Sequence, residues 1–249
     1  MRKTAVYTFL FITLSAGCMN MSVHDNKIYF LDSFISKLYI FDDNGSPIQT
    51  VCLKNISRSG FYDYFIKRDS FNSLVYDSLN ESMYVLDEEY KVRRSVSLKD
   101  IMKKDIIPKL FPVGSNSVIL SSSDNLGIFI LRNNGTRMII FSDSPYSDFF
   151  SDGKNIFLLF SDHISKYSIS GVFIKNIPLP LEKIPYSSLY VTSSNIFLKN
   201  PYGIVSLKKD LSEIGFLEDS SVLSYTGIGS TLYYFTSNSS IIELWSAEN

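Results

Sequence analysis

The stretch that decides the fold is "KIYFLDSFISKLYIFDDNG", residues 27–45. It holds two short apolar runs, "IYFL" and "LYIF", separated by six residues and closed by an Asn-Gly pair. Runs of four to seven β-branched and aromatic residues punctuated by Asp, Ser, Asn and Gly read as strands of antiparallel hairpins. Asn-Gly supplies the positive φ that a tight hairpin turn requires.

Working outward, the same hairpin recurs. It starts at Lys27, then at Leu74 ("LVYDSLNESMYVLDEEYK"), Val118 ("VILSSSDNLGIFILRNNG"), Ile156 ("IFLLFSDHISKYSISG"), Ile196 ("IFLKNPYGIVSLKKD") and Leu232 ("LYYFTSNSSIIELWS"), about 40 residues apart. A further strand follows most of the turns: "PIQTVCL", "VRRSVSL", "TRMIIF", "VFIKNIPL" and "LSEIGFL". Another precedes several hairpins: "YDYFIK", "SDFF", "SSLYVT" and "VLSYTG". Four strands in a unit of about 40 residues is the content of a β-propeller blade. Both faces of such a sheet are covered by neighbouring blades, so its strands read as nearly continuous apolar runs. The expectation is an all-β, six-bladed β-propeller over residues 18–249 as a single domain. The last unit runs out after its third strand, so either the final blade is three-stranded or the segment before Lys27 pairs there.

The N-terminus carries a different signal. Met1-Arg2-Lys3 is positive, residues 5–16 are apolar, and Ser15-Ala16-Gly17 precede Cys18. A run of about a dozen apolar residues is shorter than the roughly 20 that span a bilayer, and the layout is that of a secretory signal over residues 1–17. The small residues before the cysteine resemble a bacterial lipobox, which makes Cys18 the expected lipidation site and the membrane a partner through an N-terminal lipid anchor. An ordinary cleaved secretory signal is the alternative. With Cys18 lipidated, Cys52 stands alone, no intrachain disulfide forms, and Cys52 is expected as a small buried hydrophobe. The formal charge of −1 gives no footprint for nucleic acid.

Candidate chemistry is thin. Asp42-Asp43-Asn44-Gly45 invites a calcium loop, but counting from Asp42 the sixth residue is Pro47 and the twelfth Leu53, where an EF-hand needs Gly and Glu. A hairpin turn is the expectation there. The two histidines are His24 and His163, the latter beside Asp162 in the turn "SDHIS", read as a solvated turn histidine. No catalytic residue, cofactor or metal site is assigned, although Asp, Asn and carbonyl groups leave room for calcium in a central channel. The single Trp245 argues against blades that dock a tryptophan in every repeat, so the 16 Tyr and 19 Phe carry the packing. The densest aromatic segment, Phe61, Tyr62, Asp63 and Tyr64, is the candidate contact surface for a ligand or partner.

"KIYFLDSFISKLYIFDDNGSPIQTV", followed by "RSGFYDYF" and "LVYDSLNESMYVLDEEYKV", resembles the six-bladed β-propeller lipoproteins of some Gram-negative bacteria, relatives of NHL-repeat propellers. Leu31-Asp32, Phe41-Asp42 and Asn44-Gly45 match the family's first unit. Gly60, Asp63 and Tyr64 stand where its loop has Gly, Glu and Tyr, while Phe61 and Tyr62 replace Pro and Gly. The resemblance implies a propeller fold and a cell-envelope address, not a reaction. An outer-membrane lipoprotein facing the periplasm is slightly favoured over the surface, because "MNMSVHD" after Cys18 lacks an acidic run. The resulting expectation is a non-enzymatic binding or scaffold module for a peptide, glycan or partner protein. A calcium-dependent propeller enzyme of the lactonase or lyase type is the runner-up.

Overall fold

The structure is a computed structural model, and it describes residues 19–57, 59, 62, 64–67, 72–99, 110–113, 117–122, 124–132, 135–179, 185–208, 213–237 and 242–246. Cys18 and the expected leader over residues 1–17 lie outside the described residues. Six small antiparallel sheets follow one another along the chain, each a meander. The first holds β1 (Met19–His24), β2 (Lys27–Asp32), β3 (Lys37–Phe41) and β4 (Pro47–Cys52). The second holds β5 (Tyr64–Lys67), β6 (Ser73–Asp77), β7 (Ser82–Leu86) and β8 (Val92–Ser97). The third holds β9 (Leu110–Val113), β10 (Ser117–Ser121), β11 (Gly127–Arg132) and β12 (Gly135–Phe141), and the fourth β13 (Asp148–Ser151), β14 (Asn155–Leu159), β15 (His163–Ser168) and β16 (Phe173–Pro178). The fifth holds β17 (Ser188–Val191), β18 (Asn195–Asn200), β19 (Gly203–Lys208) and β20 (Glu213–Glu218). The last has three described strands, β21 (Val222–Ile228), β22 (Thr231–Thr236) and β23 (Ile242–Ser246). This is the six-bladed β-propeller class, with a three-stranded final blade.

Sheets one, two and six fall in one compact unit, and sheets three, four and five in another. In the first unit, Tyr29, Leu31, Leu38 and Ile40 of the first sheet pack with Phe65, Val75 and Leu86 of the second. The opposite face of the first sheet, Ile28, Phe30, Tyr39 and Phe41, packs with Tyr233 and Phe235 of the last. In the second unit, Ile119, Ile128 and Ile140 meet Phe149, Ile156 and Leu158. There Phe157, Leu159 and Ile164 meet Leu189, Ile196 and Leu198. Residues alternate between faces along a strand, and here both faces are covered, so β2 is buried at every position after Lys27.

The fourth strands are the exception. β4 and β8, each at one edge of its sheet, are exposed along most of their length, whereas β13 and β17 at the opposite edge of theirs are largely buried. This corrects the expectation for Cys52. It is an exposed, free thiol at the end of β4, opposite Lys37, whereas Leu53 turns inward and is buried.

The first and last sheets join without exchanging a strand. β1 pairs with β2 from Met19 opposite Asp32 to His24 opposite Lys27, so the N-terminal strand completes the first sheet rather than the last. Side chains close the seam, aided by the Tyr233 hydroxyl, which donates to the Asp43 carbonyl at 2.8 Å.

Candidate functional site

A repeated local geometry lies in the hairpins between second and third strands. In the first sheet, Asp32 ends β2 and its Oδ1 accepts from the backbone N–H of Phe34 at 3.0 Å and of Ile35 at 3.2 Å. In the second, Asp77 ends β6 and accepts from the N–H of Asn80 at 3.0 Å. In the fifth, the Oδ1 of Asn200 accepts from Tyr202 at 2.9 Å and Gly203 at 3.0 Å. An Asx side chain that takes the turn's own N–H groups fixes the loop without help from solvent. Ser36 and Glu81 then take the left-handed conformation, φ 53° and 47°, and their carbonyls each accept at 2.8 Å from a residue just past the fourth strand, Leu53 and Leu98.

Two residues after each capping Asx sits a large apolar side chain in solvent: Phe34 is 65% exposed, Leu79 71% and Tyr202 56%. Rigid loops that hold apolar side chains out in water at one repeated position are the clearest candidate contact points of the chain. A turn normally spends these positions on polar residues, so overlaying the six hairpins would have exposed the signal.

Asp77 does more than cap its turn. Its Oδ2 accepts from Ser57 Oγ and Ser59 Oγ, both at 2.6 Å, and from Asn80 Nδ2 at 2.7 Å. Burial alone would push this carboxyl up; the hydrogen bonds from Ser57, Ser59 and Asn80 outweigh it and hold the group below the usual carboxylate range. The carboxylate thereby ties the segment leaving the first sheet to the second. Asp32 occupies the matching place in the first sheet, yet its buried Oδ2 has no partner among the described residues.

Of the segment singled out from sequence, Phe61 and Asp63 lie outside the described residues, and Tyr64 opens β5 opposite Tyr76. Tyr62 is fully buried and its hydroxyl accepts from the Ser57 N–H at 2.8 Å. Its phenol is therefore part of the core between the first two sheets, not of a contact surface.

The acidic turn behaves as a turn. Asp42 Oδ1 accepts from Asn44 N–H at 3.0 Å and Ser46 N–H at 2.7 Å, and Gly45 has φ 78°. The second sheet repeats it with Asp87, Glu89, Lys91 and Tyr90, the last at φ 62°, and the fourth with Ser168, Val172 and Gly171, at φ 88°. Among the described residues no three His, Cys, Asp or Glu side chains form a metal-sized group.

His163 has more company than its sequence neighbours suggested. Its Nδ1 lies 2.7 Å from Asp162 Oδ1, its Nε2 3.0 Å from Ser165 Oγ, and its ring stacks on Phe160. The hydrogen bond with His163 holds the Asp162 carboxyl below its usual range. Acid, imidazole and hydroxyl are thus connected as in a nucleophilic triad. Ser165 is buried, however, and its hydroxyl is also shared with Asn176 Oδ1 at 2.8 Å across to β16, which makes the cluster a fastening between two strands.

No protein family and no curated protein matches the chain. Solved structures do. Virginiamycin B lyase from Staphylococcus aureus superposes with a TM-score of 0.58 and 11% identity over 93% of this chain and 84% of that one. BBS1N, in complex with ARL6DN, gives 0.56 and 11% over 90% and 75%. PorZ, a surface component of the type-IX secretion system of Porphyromonas gingivalis, gives 0.55 and 15% over 86% of this chain and 35% of that one. At such identities the likeness is one of fold, the β-propeller.

Proposed function

We propose that this protein is a non-enzymatic β-propeller binding module of the bacterial cell envelope. It is tethered by a lipid on Cys18 and recognises a polypeptide through apolar hairpin tips. The observation that carries this reading is the repeated tip geometry: Phe34 and Leu79 exposed at equivalent positions, each on a loop fixed by its own aspartate. Leu79 offers no aromatic face to a sugar ring, which favours an apolar polypeptide segment over a glycan. Support for a protein partner comes from BBS1N, of the same fold and bound to ARL6DN. Support for an envelope address comes from PorZ, a bacterial surface component. Outer-membrane attachment facing the periplasm follows from the leader and from the residues after Cys18.

Photo-crosslinking in the native envelope tests the recognition reading, with a benzophenone amino acid placed at position 34, 79 or, as a control on an edge strand, 48. One discrete adduct at 34 and 79 that is missing at 48 is the expected result. Equal adducts at all three positions, or none, would refute it. Metabolic labelling with a fatty-acid probe tests the anchor: label must enter the native chain and be lost in Cys18→Ala.

A further inference from the structure

We propose that the edge strands β12 and β16 form a docking face for an anionic lipid bilayer, separate from the hairpin tips. Five large apolar side chains gather there: Met138 and Phe141 on β12, Val172 just before β16, and Phe173 and Ile174 on it. Their exposure runs from 47% at Ile174 to 65% at Phe141. The ladder of β16 skips a residue between Phe173 and Lys175, so the strict alternation of faces is broken where these apolar groups lie. The two strands belong to one surface, because the turn before β16 is pressed against β12. An ideal Cβ on Gly171 would lie 2.0 Å from the Ile139 carbonyl oxygen.

Charge on the two strands themselves has one sign, and the exposed Asp143 lies beyond the end of β12. Arg137 adjoins Met138, Lys175 adjoins Ile174, and neither β12 nor β16 contains a carboxylate. Lys175 stands directly opposite Lys166 on β15, a like-charged cross-strand pair that repels unless an anion intervenes. The Lys166 ammonium lies 5.6 Å from the centre of the Phe157 ring. Apolar side chains interleaved with cations are the chemistry of interfacial membrane binding: the hydrocarbon enters the headgroup–acyl boundary and the cations meet anionic headgroups. These side chains protrude. A fluid bilayer accepts protruding groups of unequal length, whereas a folded partner needs a matched surface.

Vesicle co-sedimentation tests the proposal. The full chain carrying Cys18→Ser, so that no acyl chain contributes, is mixed with vesicles of phosphatidylcholine alone or with phosphatidylglycerol. Binding to the mixed vesicles is expected, weakening about tenfold or more in Phe141→Asp/Phe173→Asp. A loss of about fivefold is expected for each of Arg137→Gln and Lys175→Gln, and added salt should mimic it. The two cation variants change exposed residues and should unfold at the parent temperature; Phe173 also meets the Tyr167 ring edge-on, so the phenylalanine variant is compared with the parent by circular dichroism at the assay temperature, where both must be folded. No binding by the parent, undiminished binding by the phenylalanine variant, or equal binding to both vesicle types would each overturn the assignment. Phe34→Asp/Leu79→Asp must bind vesicles like the parent, which keeps this test apart from that of the hairpin tips.

Discussion

Two aspartates at matching places in neighbouring blades should respond unequally to the same substitution. The Asp77 carboxylate accepts four hydrogen bonds, three of them at Oδ2. An asparagine there has one oxygen and one NH2. Whichever way it turns, an N–H faces at least one donor, and one buried group left unsatisfied costs about 2 kcal/mol. For a chain of this size that lowers Tm by about 4–8 °C. Asp32→Asn keeps the oxygen that accepts from Phe34 and Ile35 and exchanges a buried oxygen without a partner among the described residues for an NH2 equally without one. One unpartnered polar group replaces another, so the expected change is within about 1 kcal/mol of zero. The pH dependence follows from the direction of the shift. The folded-state pKa of Asp77 is depressed, so its contribution is present above the unfolded value of about 3.9 and fades as pH falls through the folded one. Thermal unfolding of both variants at neutral pH, repeated for Asp77→Asn below pH ~4, measures all of this. Equal Tm losses for the two variants would refute the reasoning, as would an Asp77→Asn deficit that does not shrink in acid.

Other expectations follow from single contacts. Gly171→Ala should destabilise by about 2–4 kcal/mol, since its Cβ meets the Ile139 carbonyl at a left-handed φ of 88°, whereas Gly153→Ala, at φ 82° in open space, should cost only about 1 kcal/mol; urea unfolding compares them. Burial pushes the Tyr29, Tyr146 and Tyr233 hydroxyls up to about 12, so an absorbance titration should show a late tyrosine fraction. The sign is that of a raised pKa: their contribution to stability is complete below pH ~10 and is lost as pH rises through the folded value. Cys52 should react with a thiol reagent in the native protein at the rate of the unfolded chain, not orders of magnitude slower.

The hairpin rhythm was legible because apolar runs such as "IYFL" and "LYIF" are buried on both faces and need no context to be read as strands. All five strands expected after the turns are present, from β4 to β20. β9 was missed: "LFPV" is short and carries a proline, which only an edge position tolerates. The site was harder to read, because composition does not say which way a side chain points. Tyr62 looked like a contact residue in an aromatic cluster and is core, since its hydroxyl has the Ser57 N–H to satisfy. Cys52 looked like core in an apolar run and is exposed, since that run is a fourth strand left uncovered along most of its length. The tip residues were overlooked because Phe34 and Leu79 are unremarkable singly; only their shared offset from a capping aspartate gives them meaning.

The seam between β1 and the last sheet has a thermal consequence. Among the described residues no backbone ladder crosses it, and apolar contact among residues such as Met21, Ile28, Phe30 and Phe235 holds it together with the Tyr233 hydroxyl. Apolar association weakens on cooling, while the hydrogen-bonded ladders within each blade do not share that dependence. Near freezing, the juncture of the chain's first and last sheets should therefore be the part of this unit that breathes most, and amide exchange in β1 and β21 should slow less on cooling than exchange in β2.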